Sequence, residues 1–335
     1  SEWEGSYARL VADGGAAQLA EGYQRKGTMD GWKSVIQELE PFPMIGSMLL
    51  ASLAAPLLGV IKEAPNFVID LSGKSSHGKT SALKIAASPW GVPSSRDGGL
   101  VHSWDATGVG GERAAEMTCH LPLILDDTKR AKKKEAVAEM LYRVANGRGR
   151  LRGRPDGLRE VSRWRTILLS SGEVPASSFT KDQGARARVL GLQGLPFKSG
   201  VRGELVSAVM RDISENYGHA GPMLVQWLQQ NRDQWDELRD LYRQSVRNYS
   251  WCEDPALSAF RSRNAPYIAL LQTAAHIAID KLGIPIDWPA IEQLLLGSAD
   301  ESAKDSDVSA HAAEYLYEWA VSNTTRLANG GDTQD

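Results

Sequence analysis

At 335 residues the chain can bury one large core or two smaller ones, and 42% hydrophobic with 24% charged residues is an ordinary globular make-up that excludes a fibrous or disordered chain. Two cysteines, Cys119 and Cys252, exclude a disulfide scaffold and fit a reduced, cytoplasmic setting; no apolar run reaches the ~20 residues of a membrane span. The net charge of −3 conceals an uneven distribution, because Lys129 to Arg165 holds thirteen Lys/Arg against four Asp/Glu, a local +9 that leaves −12 on the remainder. A basic segment inside an acidic chain points to a localised polyanion site.

The first residues carry no signal peptide and no Met, so the expectation is an excised piece of a longer chain. The first twenty or so are Gly/Ala-rich and read as helix. Trp32, Val35, Ile36 and Leu39 recur at helical spacing, and Met44 to Val60 is strongly apolar but broken by Pro56 and Gly59. At about 17 residues the latter reads as a buried helix rather than a membrane span.

Phe67 to Leu71 is a β-branched run that enters Gly73-Lys74-Ser75-Ser76-His77-Gly78-Lys79-Thr80, followed by a helical run from Ser81. This is a full Gly-x4-Gly-Lys-Thr phosphate loop, with the strand before it and the helix after it that the motif requires. Its glycines let backbone N–H groups turn inward on a phosphate, and the helix adds its positive N-terminus. Lys79 is placed to reach the β- and γ-phosphates, and Thr80 to ligate Mg²⁺. The alternative is a chance Gly-rich turn.

Leu100 to Trp104 is a strand candidate, and Glu112 to Cys119 a helix. Cys119-His120 has no second Cys/His pair and reads as structural rather than as a metal site. Leu121 to Asp127 reads as a buried strand ending in two carboxylates, a Walker B pattern 47 residues after Lys79. That spacing leaves room for an extra strand and helix, as in the additional-strand P-loop ATPases. Asp126 is assigned to Mg²⁺ and Asp127 to the attacking water. The bland reading makes both carboxylates caps of the following helix.

Lys132 to Val144 is helical and Asn146-Gly147 ends it. Arg148 to Arg154, then Pro155-Asp156-Gly157, then Leu158 to Arg165 reads as a two-stranded hairpin around a turn. Arginine pairs with phosphate in a bidentate way. Arg148, Arg150, Arg152, Arg154 and Arg159 are therefore the nucleic-acid contacts expected here, against a solvated face or a subunit contact. Thr166 to Glu173 is a buried strand ending in Ser170-Ser171, either of which can take the sensor role beside a γ-phosphate. Arg186 and Arg188 precede another strand, where an arginine can cross to a neighbouring subunit's nucleotide; Arg188 is the stronger choice.

From Gly203 the chain is mainly helical, with segments at 205–217, 222–231, 235–249, 261–282, 288–296 and 308–327, and an acidic loop at 297–307. His219, His276 and His311 read as surface or packing residues. The fold class expected is α/β: a parallel sheet flanked by helices (64–200, with the hairpin at 148–165), preceded by N-terminal helices (1–63) and followed by a helical lid (201–335).

The order of these motifs resembles a family of helicase-like ATPases from bacterial mobile elements and prophages, catalogued as domain of unknown function 927. The resemblance runs from about Trp32 to Leu228 and takes in Pro56-Leu57-Leu58, the phosphate loop and Ala87-Ser88-Pro89-Trp90-Gly91. It continues through Trp104, Thr107, Leu125-Asp126-Asp127, Asn146-Gly147, Trp164, Ser170-Ser171-Gly172-Glu173, Gly184 with Arg188, and His219-Ala220-Gly221. It implies an AAA+-type core related to superfamily 3 and minichromosome-maintenance helicases, a hexameric ring, and a hairpin that grips single-stranded DNA in a central channel during DNA replication. It also implies ATP and Mg²⁺ as cofactors and a primase partner. Asp127 stands where many relatives have Glu, and a shift of roughly 1 Å in the water position slows hydrolysis. Two functions follow as expectations: an ATP-driven helicase or translocase, and an ATP-gated module that holds DNA or protein without unwinding.

Overall fold

The computed structural model describes residues 20–74, 78–105, 108–131, 134–149, 153–154, 157–158, 161–180, 182–197, 200, 203–305, 316–317 and 319–323. The helix expected in the first twenty residues and most of that at 308–327 lie outside them.

Two N-terminal helices form the floor. Helix α1 (Met29–Glu38) is capped by Thr28, whose side chain accepts from the Gly31 N–H. Helix α2 (Pro43–Ala54) starts on Pro43, where the missing N–H costs nothing. All but Gly46 of its residues from Met44 to Ala54 are buried, as an apolar face on every side demands. After Ala54 the chain passes through Pro56 into a single turn, α3 (Leu57–Val60).

The sheet has β1 (Phe67–Ser72), β2 (His102–Ser103), β3 (Leu123–Asp126), β6 (Ile167–Gly172) and β7 (Val189–Gln193), in the spatial order β2-β3-β6-β1-β7. Every pairing is parallel. Strand β6 lies between β1 and β3, so the strand that ends in Ser170-Ser171 separates the phosphate-loop strand from the Asp-Asp strand. A separate antiparallel pair joins β4 (Gly153–Arg154) to β5 (Gly157–Leu158). Below it, Arg148 bridges to Arg163, and the Gly149 N–H donates to the Ser162 carbonyl at 2.8 Å.

Alternation sends the two sheet faces into different cores. Ile69, Leu71, Leu169 and Leu192 join the larger core with α1, α2 and the C-terminal helices. Val68, Leu123, Leu125 and Leu168 meet helix α6 (Lys134–Asn146) in a smaller one. Helix α4 (Lys79–Ala87) follows the phosphate loop, and α5 (Gly108–Met117) precedes β3. The indoles of Trp32 and Trp90 donate to Ser88 (2.8 Å) and Ser52 (2.9 Å), fixing the end of α4 on the floor.

After α7 (Gln183–Arg186) and β7 come α8 (Gly203–Glu215), α9 (Ala220–Gln230), α10 (Trp235–Ser250), α11 (Pro255–His276) and α12 (Trp288–Asp305). Residues 297–305, expected as loop, are the last part of α12. Their acidity hides a helical face: Leu295 and Ala299 are buried, and Asp300 takes two hydrogen bonds from Arg261 (2.9 and 2.7 Å). Among the described residues no helix is long and apolar enough to cross a membrane, and no three or more His, Cys, Asp and Glu side chains gather in a group that could hold a metal. Cys119 is half-buried, with its sulfur 3.8 Å from the His120 ring.

Candidate functional site

The C-terminal ends of β1, β3 and β6 converge, and each delivers one part of the site. Gly78 caps α4 with φ +84°, and a Cβ there would lie 2.7 Å from the Phe197 ring. Glycine is required on both counts. Gly73, at the other end of the loop, sits where a Cβ would meet the Gly194 carbonyl at 2.8 Å. Ser75, Ser76 and His77 lie outside the described residues. Lys74 is exposed; Gly78, Lys79, Thr80 and Ser81 are half-buried at the start of α4. The Lys79 ammonium bends back across the loop to the carbonyls of Gly73 (2.8 Å) and Lys74 (2.7 Å).

Thr80 donates from its hydroxyl to Asp126 Oδ2 at 2.9 Å, and Ser171 donates to Oδ1 at 2.5 Å. The Asp127 N–H in turn donates to the Ser171 hydroxyl at 3.2 Å. Two hard oxygen ligands, one hydroxyl and one carboxylate, thus stand side by side at the start of α4, a donor set that suits Mg²⁺. The two serines part here. Ser171 faces Asp126, whereas Ser170 is buried on the other face beside Asp70.

Asp127 adopts φ +63° and turns its carboxylate onto its own turn, where it accepts from Lys129 N (3.2 Å) and lies 3.5 Å from Arg130 Nε. Lys129 in turn pairs with Glu173. Thr128 fills the space over Gly172, where a Cβ would lie 2.3 Å from its hydroxyl oxygen.

Arg188 and Arg186 sit at the opposite end of the sheet. Arg188 immediately precedes β7, and its carbonyl accepts from Val68 at the start of β1; its guanidinium reaches Gly184 O at 3.3 Å. A six-residue strand puts them roughly 20 Å from the phosphate loop of the same chain. Arg186 is exposed. The hairpin root occupies this same end. Arg148 is exposed there; Arg150, Arg152 and Arg159 lie outside the described residues, and Arg154 is in β4. Arg143 and Arg165 are structural: Arg143 is buried between Glu112 (2.5 Å) and Glu139, and Arg165 binds the carbonyls of Ile61, Lys62 and Ala64.

Two buried polar residues escaped the reading of the sequence. Asp70 is fully buried in the middle of β1, with its carboxyl pushed up to about 6 by desolvation; the Ala176 N–H (2.7 Å) and the Ser170 hydroxyl oppose that rise. A carboxylate inside an otherwise apolar strand is a signal visible in the sequence. Asn66, just before β1, carried none.

The fold is α/β with a parallel five-stranded sheet, and the sequence lays a phosphate-loop motif over its first strand turn. Residues 6–163, just under half of the chain, match the family described as "Domain of unknown function (DUF927)". No curated protein matches the chain in sequence. A solved structure described as "SCCmec type IV Cch - active helicase" superposes with a TM-score of 0.74 at 18% identity, over 99% of this chain and 61% of that one. The chain therefore spans about three-fifths of that protein's length. Together these matches bear out the resemblance to a mobile-element helicase-like family.

Proposed function

We propose that the protein is an ATP-dependent DNA helicase or translocase of a mobile genetic element, acting in replication as a ring, six-membered on the family resemblance. The observation that carries this reading is the bonded set Thr80–Asp126–Ser171 beside Lys79. The strand order, with one strand between those of the two motifs, supports an AAA+-like core. Thr80 and Asp126 would hold Mg²⁺, which would supply positive charge against the phosphates. Ser171 fixes Asp126 and can sense the γ-phosphate. Arg188 lies too far from its own phosphate loop to serve it, which supports service in trans to a second copy. The Arg hairpin at that same end meets DNA through phosphate contacts, which makes binding salt-dependent and largely indifferent to sequence. Residues 201–335 serve as the lid, and a primase module elsewhere in a longer chain or complex is the partner expected.

The test is strand displacement on a forked duplex. The wild type displaces the strand, Lys79→Ala abolishes displacement, and displacement that survives Lys79→Ala overturns the reading. One observation favours the second reading, an ATP-gated module that holds without unwinding: the Asp127 carboxylate is engaged by Lys129 and Arg130 rather than aimed at the site. ATP-dependent DNA retention without displacement would select it.

A further inference from the structure

Asn66 is 6% exposed, and its three hydrogen bonds tie together two backbone segments, the end of α6 and the stretch 164–166 that leads into β6. Nδ2 donates to the carbonyls of Val144 (3.1 Å) and Trp164 (3.2 Å), and Oδ1 accepts from the Thr166 N–H (3.2 Å). Val144 is in the last turn of α6, before the hairpin; Trp164 is at the end of its return arm; Thr166 leads into β6. The surroundings leave no slack. The Trp164 indole N–H also donates to Val144 O (3.3 Å), and the Trp164 backbone N–H to Gly147 O (3.0 Å). A Cβ on Gly147 would lie 2.8 Å from Asn66 Nδ2. Arg165 ties the return arm to residues 61–64, just upstream of Asn66.

We propose that Asn66 is a positioning residue that locks the hairpin root to the phosphate-loop strand, so that the two move as one body. From Asn66 the path is continuous. Strands β1 and β6 pair in register from Phe67–Ile167 to Ser72–Gly172, and the Gly73 N–H, at the entrance of the loop, donates to Gly172 O (3.2 Å). A displacement at the loop is then passed along two bonded strands to the hairpin root. The inference rests on the hairpin being the DNA contact.

Asn66→Asp keeps the acceptor for Thr166 but turns an oxygen toward two carbonyls. Trp164→Phe is the milder variant; it keeps most of the ring packing and removes the indole donor. Asn264→Ala removes a comparably buried amide on α11, which donates within its own helix to Phe260 O (3.2 Å), and is the control. ATP turnover is measured with and without single-stranded DNA, alongside the melting temperature. Asn66→Asp and Trp164→Phe leave basal turnover unchanged and reduce DNA stimulation roughly tenfold, the scale of a typical coupling energy. Asn264→Ala keeps stimulation at an equal loss of melting temperature. Stimulation retained in folded Asn66→Asp, or in Trp164→Phe where Asn66→Asp does not fold, overturns the inference. So does a parallel fall of basal and stimulated turnover in all three variants. A wild type that DNA does not stimulate removes the hairpin reading itself, before any variant is compared.

Discussion

The two ends of the parallel sheet are built on opposite principles. At the C-terminal end, Lys79, Thr80 and Asp126 are half-buried and bonded to one another or to loop carbonyls, in contacts a ligand can replace. At the N-terminal end, Asn66 Nδ2, the Trp164 indole and the terminal guanidinium nitrogens of Arg165 donate to backbone carbonyls, with neighbours packed around them. Exchangeable contacts at one end and permanent ones at the other are what a device needs if binding at the first is to be felt at the second.

The largest effect expected comes from Asp126→Asn. It removes the negative charge at the paired oxygen ligands while keeping the shape, and ATP turnover should fall by about a hundredfold or more. A fall under threefold, read in a phosphate-release assay, would remove the Thr80–Asp126 pair from the site and with it the contrast between the ends.

Asp70→Asn sharpens the comparison from the middle of β1. Folding raises this carboxyl from its ordinary 3.8 to about 6, so between those values the folded chain binds a proton that the unfolded chain releases. Stability from this group is therefore lost as pH rises from about 4 through about 6, and levels off above. The asparagine variant should be more stable at pH 7 by up to about 3 kcal/mol and should lack that slope. Urea titrations of both proteins at pH 4.5, 5.5 and 7 measure it; equal slopes would mean that Asp70 stays ionised.

Gly172→Ala forces a methyl group against Thr128 and should cost about 1–3 kcal/mol while displacing the turn that holds Asp127. A melting temperature within a degree of the wild type would show that the turn yields freely. Arg148→Ala, at an exposed position, should change stability by no more than about 0.5 kcal/mol. If the hairpin meets phosphates, the dependence of DNA affinity on salt concentration becomes shallower by about one ion. An unchanged slope by anisotropy titration would take Arg148 out of the contact.

The sequence showed the top of the sheet far better than the bottom. Motifs such as Gly73 to Thr80 and Leu121 to Asp127 are local, so spacing alone marks the strands that carry them. The choice between Ser170 and Ser171 was not legible, because it depends on which side of β6 meets Asp126, and register fixes that only in three dimensions. Asn66 gave no sign at all. Its partners lie 78, 98 and 100 residues away, and an asparagine before a strand reads simply as a loop residue. The acidic run at 297–305 was misjudged for a related reason: Arg261, which neutralises Asp300, is 39 residues upstream on another helix.

On the proposed reading, the grip of Lys79 on the carbonyls of Gly73 and Lys74 means that an arriving nucleotide would meet a cation already in use. Its phosphates would displace two intramolecular partners, so the gain would be the exchange of neutral carbonyl oxygens for charged ones rather than a wholly fresh contact. Truncating this side chain therefore penalises the unliganded protein as well as the liganded one, and the affinity lost on truncation understates the strength of the bound ion pair.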